Sequence, residues 1–198
     1  FDREILPVEG KNAEGLNDLV MQDEGIRFDA SLDKLAGLNP VTEGGVITAG
    51  NASQITDGAA AVVICNDAGL KKIQKNPRAE IVSISVVGDD PVFMLTGPIP
   101  ASFKALETAN LSIDDMDLYE VNEAFAPVPL AWAADLKADR TKLNVNGGAM
   151  ALGHPLGATG AKLMTTMLHE LERREGKYAL QAICEGGGTA NATIIKRL

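Results

Sequence analysis

Three short segments join a reactive side chain to glycine or to a turn. Tyr119-Glu120-Val121-Asn122-Glu123-Ala124-Phe125 runs from an apolar stretch into Asn122 and Glu123. Asn is a favoured helix N-cap and Glu suits a first turn, so capping is the commoner role for such a pair. The chemical role is that Asn122 holds a water or a carbonyl oxygen. The second segment, residues 144–160, surrounds His154 with glycines and with Pro155 ahead of a long helical pattern. Proline restricts the backbone of the residue before it. A nearby helix start disfavours imidazolium, which leaves a neutral ring able to take a proton. The plain alternative is a tight turn with a solvated His. The segment is no P-loop, lacking Gly-Lys-Ser/Thr, and no dinucleotide fingerprint, lacking an acidic residue ~20 positions on. The third segment is Cys184-Glu185-Gly186-Gly187-Gly188. A strand-end Cys opening onto bare backbone is reachable by a substrate, and its glycine amides can face a developing oxyanion. The plain alternative is a buried strand Cys. That alternative describes Cys65, at the end of Ala61-Val62-Val63-Ile64-Cys65, and predicts it buried. His169 reads as solvated, Trp132 as core, and Met150, Met164 and Met167 as packing.

These segments need strands and helices to hold them. Alternating patterns predict strands over 79–87, 118–121, 143–145, 178–184 and 189–197. Helices are expected over 67–74, 100–109, 123–136 and 160–174, the last with Leu163, Met164, Met167, Leu168 and Leu171 on one face. Gly176 stops that helix. The glycines at 186–188 allow a hairpin between the last two strands. Residues 55–64 read as a buried helix running into a strand over 61–65, residues 1–6 as a strand under way, and 32–38 as a short helix. Strands alternating with helices predict an α/β layered fold. A domain boundary is expected near Asn76-Pro77. The opening at Phe1 leads us to expect a fragment, a processed chain or part of a longer one.

Composition narrows the classes. Of 198 residues, 45% are hydrophobic and 23% charged, as in an ordinary globular protein. A net charge of −9 argues against nonspecific nucleic-acid binding. Two cysteines in no Cys/His cluster predict no metal site, free thiols and a reduced, cytoplasmic setting. No apolar run nears the ~20 residues that span a bilayer. The ending Lys196-Arg197-Leu198 only loosely matches a peroxisomal signal, with Lys in place of a small residue.

Taken in order, Asn-Glu-Ala-Phe, Asn-Val-Asn-Gly-Gly…Gly-His-Pro-Leu-Gly…Gly and Cys-x-Gly-Gly-Gly resemble the thiolase family. Gly50-Asn51-Ala52-Ser53…Asp57-Gly58-Ala59 adds a fourth match upstream. The resemblance implies a thiolase-like layered fold, with a complete carboxyl-terminal core domain over 77–198 and a mixed sheet between helices. It implies the end of a loop domain over 1–45 and the last part of an amino-terminal core domain over 46–76. It implies acyl transfer between acyl-CoA and CoA or acetyl-CoA, with coenzyme A thioesters as substrates and no tightly bound cofactor. The acyl-carrying Cys would belong to a half of the enzyme outside this chain, so the chain alone is expected to be inactive. By resemblance His154 deprotonates that Cys, and Cys184 trades a proton with the CoA sulfur or the acetyl methyl. Asn122 holds a water beside His154, the N–H of Gly186 donates to the acyl oxyanion, and Ser53 contacts the pantetheine arm. Glu123 supports the site from behind. The family forms homodimers or homotetramers. Glu185, where many biosynthetic members carry an apolar residue, leans the reading toward a degradative 3-ketoacyl-CoA thiolase. The rival readings are a non-catalytic subunit and a decarboxylating ketoacyl synthase, the latter disfavoured because only one His lies in a motif.

Overall fold

Two long strands set the frame, both drawn largely from β-branched and small residues. In the computed structural model, which describes residues 1–12 and 14–198, they are β3 (Ala79–Gly88) and β6 (Thr189–Arg197). With β4 (Leu118–Val121) and β5 (Tyr178–Cys184) they form one sheet in the order β3-β6-β5-β4. The β3–β6 and β6–β5 pairs are antiparallel and β5–β4 is parallel, so the sheet is mixed. The expected hairpin exists, with residues 186–188 forming a single tight turn between β5 and β6. At Gly188, with φ +83°, an added Cβ would meet the Asp89 carbonyl oxygen at 2.7 Å, so only glycine fits.

Helices cover both sheet faces. On one, α3 (Pro98–Ala109) and α4 (Pro127–Leu136) pack Ala101, Ala105 and Trp132 against Leu180, Ala192 and Ile194. Trp132 is fully buried, and its indole N–H donates to Ser102 Oγ at 2.8 Å. On the other, α6 (Thr159–Arg174) packs Met167 and Leu171 against Leu118, Ala179 and Ile195. The α/β layering expected from the sequence is present, with the sheet between helices.

The remaining elements are small: β1 (Val8–Lys11) and β2 (Asn17–Val20), a hairpin absent from the sequence reading; α1 (Leu32–Ala36); α2 (Asp67–Ile73); and α5 (Ala149–Leu152). Several expectations are corrected. Residues 1–6 make a turn closed by Glu4 N–H donating to the Phe1 carbonyl, not a strand. Residues 55–64 form neither helix nor strand. The 61–65 run is apolar without periodicity, as a strand buried on both faces is, yet among the described residues no strand pairs with it. Val63 is 84% exposed, and Cys65, expected buried, is exposed. The helix expected from Glu123 begins only at Pro127, whose ring suits a first helical position. Residues 124–126 make a bend, a bridge to Ala52 and a turn instead, because their backbone is engaged elsewhere. The Ala124 carbonyl accepts from Ser53 N–H at 3.0 Å, and Ala126 N–H donates to the Asn51 carbonyl at 2.9 Å.

The strand expected over 143–145 shrinks to one parallel bridge, Tyr119 to Leu143. Asn144 follows at φ +46°, which breaks the ladder, and its side chain takes over. Its Oδ1 accepts from Val121 N–H and its Nδ2 donates to the Val121 carbonyl, each at 2.9 Å. The side-chain amide thus stands in for a backbone partner at the edge of β4. Among the described residues no helix is long and apolar enough to cross a membrane.

Candidate functional site

A parallel strand pair ends where side chains from two strands can converge, and the carboxyl ends of β4 and β5 carry Asn122 and Cys184. Asn122 N–H donates to the Ala182 carbonyl at 2.9 Å, which continues the β4–β5 ladder to the last residue before the turn. Asn122 is therefore not a helix cap. Its side chain, in a residue only 1% exposed, reaches His154 instead, with Nδ2 at 3.3 Å from Nε2. Its Oδ1 is buried and has no hydrogen-bond partner among the described residues.

The backbone delivers His154 to this place in three steps. Gly153 turns the chain at φ +86°, where an added Cβ would collide with Thr56 at 2.7 Å. His154 N–H then donates to the Gln54 carbonyl at 3.2 Å, inside a parallel bridge between Ile55 and His154. Finally Thr159, the first residue of α6, anchors the ring. Thr159 Oγ1 lies 2.6 Å from His154 Nδ1 and donates its own proton to the Pro155 carbonyl at 3.0 Å. A hydroxyl has one proton to give, so Oγ1 must accept from Nδ1–H. The neutral ring then carries its lone pair on Nε2, the nitrogen facing Asn122 Nδ2. Burial, with Lys162 in support, pushes the imidazolium below its ordinary range and keeps the ring neutral. Burial, rather than the helix start expected from the sequence, is the leading cause.

Thr159 is 1% exposed, so losing its hydroxyl strands a buried N–H. Thr159→Val keeps the shape and is expected to cost about 1–3 kcal/mol, with Thr159→Ser restoring most of it. Urea midpoints of the three proteins check this, and an unchanged midpoint in the valine variant would remove the anchor role.

Glu123 lies under the glycine-rich loop. Its Oε1 accepts from Asn144 Nδ2 at 2.9 Å and its Oε2 from Met150 N–H at 3.1 Å. Any side chain at Gly148 would run into this carboxylate. Asn146, from the same loop, donates to Glu170 Oε2 on α6 at 3.0 Å. The loop is therefore pinned on two sides, which fixes the start of the His154 segment.

Cys184 is half-buried, packed at the edge of the α3–α4 core, and burial pushes its thiol up, so it rests protonated. Glu185 turns outward. Its carboxylate accepts from Asn191 Nδ2 at 2.6 Å and from Thr189 Oγ1 at 3.2 Å, bracing the turn that holds Gly186. Gly186 is exposed, with open space where a side chain would be. Ser53 sits in the strip 52–55, which is threaded between the two main segments. Ala52 bridges Phe125 on one side and Ile55 bridges His154 on the other. An open cleft of about 450 Å³ runs beside His154, between residues 56–60 and 155–158.

Asn122 and His154 are thus brought into direct contact. Cys184 and Gly186 lie one strand over at the same sheet end, and Ser53 is tied in through backbone alone. Gln54, Thr159, Asn144 and Lys162 were missed by the sequence reading. Lys162 Nζ donates to the Gly153 carbonyl at 3.4 Å. A hydroxyl five positions after a His at a helix start is the one sequence signal that pointed to Thr159. Among the described residues no group of His, Cys, Asp and Glu is arranged to hold a metal ion. The arrangement offers an unprotonated imidazole nitrogen, a protonated thiol and the exposed backbone of Gly186 at one edge. That set suits proton transfer and oxyanion stabilisation in acyl chemistry.

Known proteins resemble the chain in sequence and fold. The family model described as "Thiolase, C-terminal domain" matches residues 75–197, and "Thiolase, N-terminal domain" matches residues 1–68. A steroid 3-ketoacyl-CoA thiolase from Mycobacterium tuberculosis is 57% identical over 198 residues, covering 100% of this chain and 47% of its own length. The crystal structure of an acetyl-CoA acetyltransferase from Bacillus anthracis superposes with a TM-score of 0.94 at 42% identity, over 100% of this chain and 50% of that one. Human mitochondrial 3-ketoacyl-CoA thiolase in complex with CoA gives a TM-score of 0.87 at 45% identity, over 97% of this chain and 48% of that one. The chain spans about half the length of the relatives it matches.

Proposed function

The chain belongs to the thiolase family, and from that premise we propose that it supplies the acid–base side of a thiolase active site whose acyl-carrying cysteine lies outside it. The reaction is thiolysis of a 3-ketoacyl-CoA by CoA to give acetyl-CoA and an acyl-CoA two carbons shorter, or its reverse. The observation that carries the reading is the His154–Asn122 contact, with the lone pair on Nε2.

His154 Nε2 takes the proton of the incoming cysteine thiol, because the thiolate is the nucleophile. Asn122 Nδ2 steadies the neutral ring, and its unpartnered Oδ1 is the acceptor for a water aimed at an enolate oxygen. Once protonated, Nε2 becomes a donor to that same oxygen, where negative charge develops. Cys184, resting as a thiol, gives its proton to the departing acetyl-CoA enolate. It takes a proton back from the thiol of the attacking CoA. The Gly186 N–H donates to the oxyanion of the acyl group, and Ser53 lines the path of the pantetheine arm. The match to a 3-ketoacyl-CoA thiolase at 57% identity, together with Glu185, supports a degradative substrate over a biosynthetic one.

The test assays 3-ketoacyl-CoA loss in the presence of CoA. It uses this chain alone, then this chain together with the amino-terminal half of a thiolase. Activity is expected only from the combination. Turnover by the chain alone at the rate of a complete enzyme overturns the division of roles. Absence of turnover from a folded, complete enzyme on any 3-ketoacyl-CoA favours a non-catalytic subunit.

A further inference from the structure

Two buried oxygens behind the site have no hydrogen-bond partner among the described residues: Glu120 Oε2 and Gln181 Oε1. The residues are 2% and 3% exposed. They are directly paired in the parallel register of β4 and β5, on strands about 4.8 Å apart. Side chains alternate along a strand, so Glu120 shares a face with Leu118 and Asn122, and Gln181 shares one with Ala179. Leu118 and Ala179 pack against α6, which places both polar side chains under that helix. Asn122 is the next residue on the same face toward the site.

A carboxylate oxygen and a carboxamide oxygen are both acceptors, and side by side they repel. A carboxylic acid carries one O–H and can donate. One proton therefore satisfies both orphans at once. We infer that Glu120 is held as a neutral carboxylic acid that donates its proton to Gln181 Oε1, and that this acid–amide pair is the floor that positions Asn122 beneath His154. The pair stands on geometry alone, whereas its bearing on turnover rests on the function proposed above.

The surroundings favour the proton. Burial is the largest influence on Glu120, followed by Glu123 from the turn after β4; together they push its carboxyl up to about 8. Glu170 from α6 and Glu4 from the amino-terminal segment act in the same direction. Lys162 from α6 opposes them, but burial depresses its own ammonium. Glu170 itself stays ionised. Burial raises its carboxyl, but Arg173, Asn146 and Arg174 bind it and hold it at about 2. An ionised Glu120 would put a second negative charge behind His154. That charge would favour imidazolium and hinder release of its proton.

The folded carboxyl titrates near 8 and the free one near 4.5, so the stability Glu120 supports is fully present below about 4.5. It is lost as pH rises toward 8. Glu120→Gln cannot ionise and keeps an N–H donor for Gln181. The experiment uses the complete enzyme that carries this chain. Infrared difference spectra at neutral pH are expected to show one protonated-carboxyl band in the parent that Glu120→Gln lacks. The stability of Glu120→Gln relative to the parent should grow between pH 5 and 8, with turnover within a few-fold. Gln181→Leu should move the band to higher frequency, as removal of its acceptor requires. This variant carries the test if Glu120→Gln fails to fold. Loss of no band in Glu120→Gln, or an unmoved band in Gln181→Leu, overturns the inference. So does a stability difference that is the same at every pH.

Discussion

Replacing His154 with alanine is expected to lower turnover of the complete enzyme by about 10²–10⁴-fold in both directions, the scale of a lost general base. The reason is the proton inventory around the ring. Thr159 Oγ1 has spent its proton on the Pro155 carbonyl and Nδ1–H is spent on Thr159, so Nε2, faced by Asn122 Nδ2, is the nitrogen that can take a proton. Among the described residues the other imidazole is engaged away from the site, with His169 Nδ1 against the Thr165 carbonyl at 2.9 Å on α6. The alanine variant should also slow alkylation of the nucleophilic cysteine by iodoacetamide, since the thiolate fraction falls with its base. This second readout separates loss of the base from a general loss of fit. Burial holds His154 below the ordinary value of 6.5. A group whose folded midpoint is depressed stays neutral at pH values where a free imidazole has charged. The acid limb of kcat/KM in the parent should therefore lie below 6.5. Turnover within a few-fold of the parent in both directions would sink the assignment.

What the sequence disclosed depended on whether a residue's partner was close along the chain. Strands β4, β5 and β6 begin and end where their alternation and flanking glycines placed them, because those signals are local. The 61–65 run was misread for the opposite reason. Its apolar character records a two-sided burial that this chain does not provide, and pattern alone cannot say where the covering faces are. Asn122 was open between cap and ligand because both begin with the same residue type. The β4–β5 ladder running on to Asn122 and the engagement of residues 124–126 by the 51–53 strip together exclude the cap. Gly186 and Cys184 were legible as a motif, while Thr159, Gln54 and the Asn144 mimic of a strand partner were not. Glu120 and Gln181 show the limit most plainly. They lie 61 positions apart and become neighbours only through the β4–β5 register, so nothing in either local sequence marks the pair.

Replacing Cys184 with alanine is expected to remove a comparable share of turnover, about 10²–10⁴-fold, but to divide it differently between steps. Burial pushes the Cys184 thiol up, so the resting form is S–H, and that form suits a proton donor to a departing enolate. In the condensing direction the same sulfur must first lose its proton, and the CoA thiolate released on acylation is the base at hand. Cys184 S⁻ then removes a methyl proton from acetyl-CoA, and the enolate carbon attacks the acyl thioester and expels the nucleophilic cysteine as thiolate. A CoA thiolate, with a thiol pKa of about 8.5, leaves without much help, whereas a thioester methyl gives up its proton only to a well-placed base. The variant should therefore keep much of its exchange of acyl groups between acyl-CoA and free CoA. It should lose deuterium exchange into the acetyl-CoA methyl together with condensation. His154→Ala should lose both, which sets the two residues apart in one pair of assays. Equal loss of the two exchanges in Cys184→Ala would move Cys184 from the methyl proton to the acyl step. Retention of both would leave it as packing at the end of β5, where it already lies partly buried against the α3–α4 core.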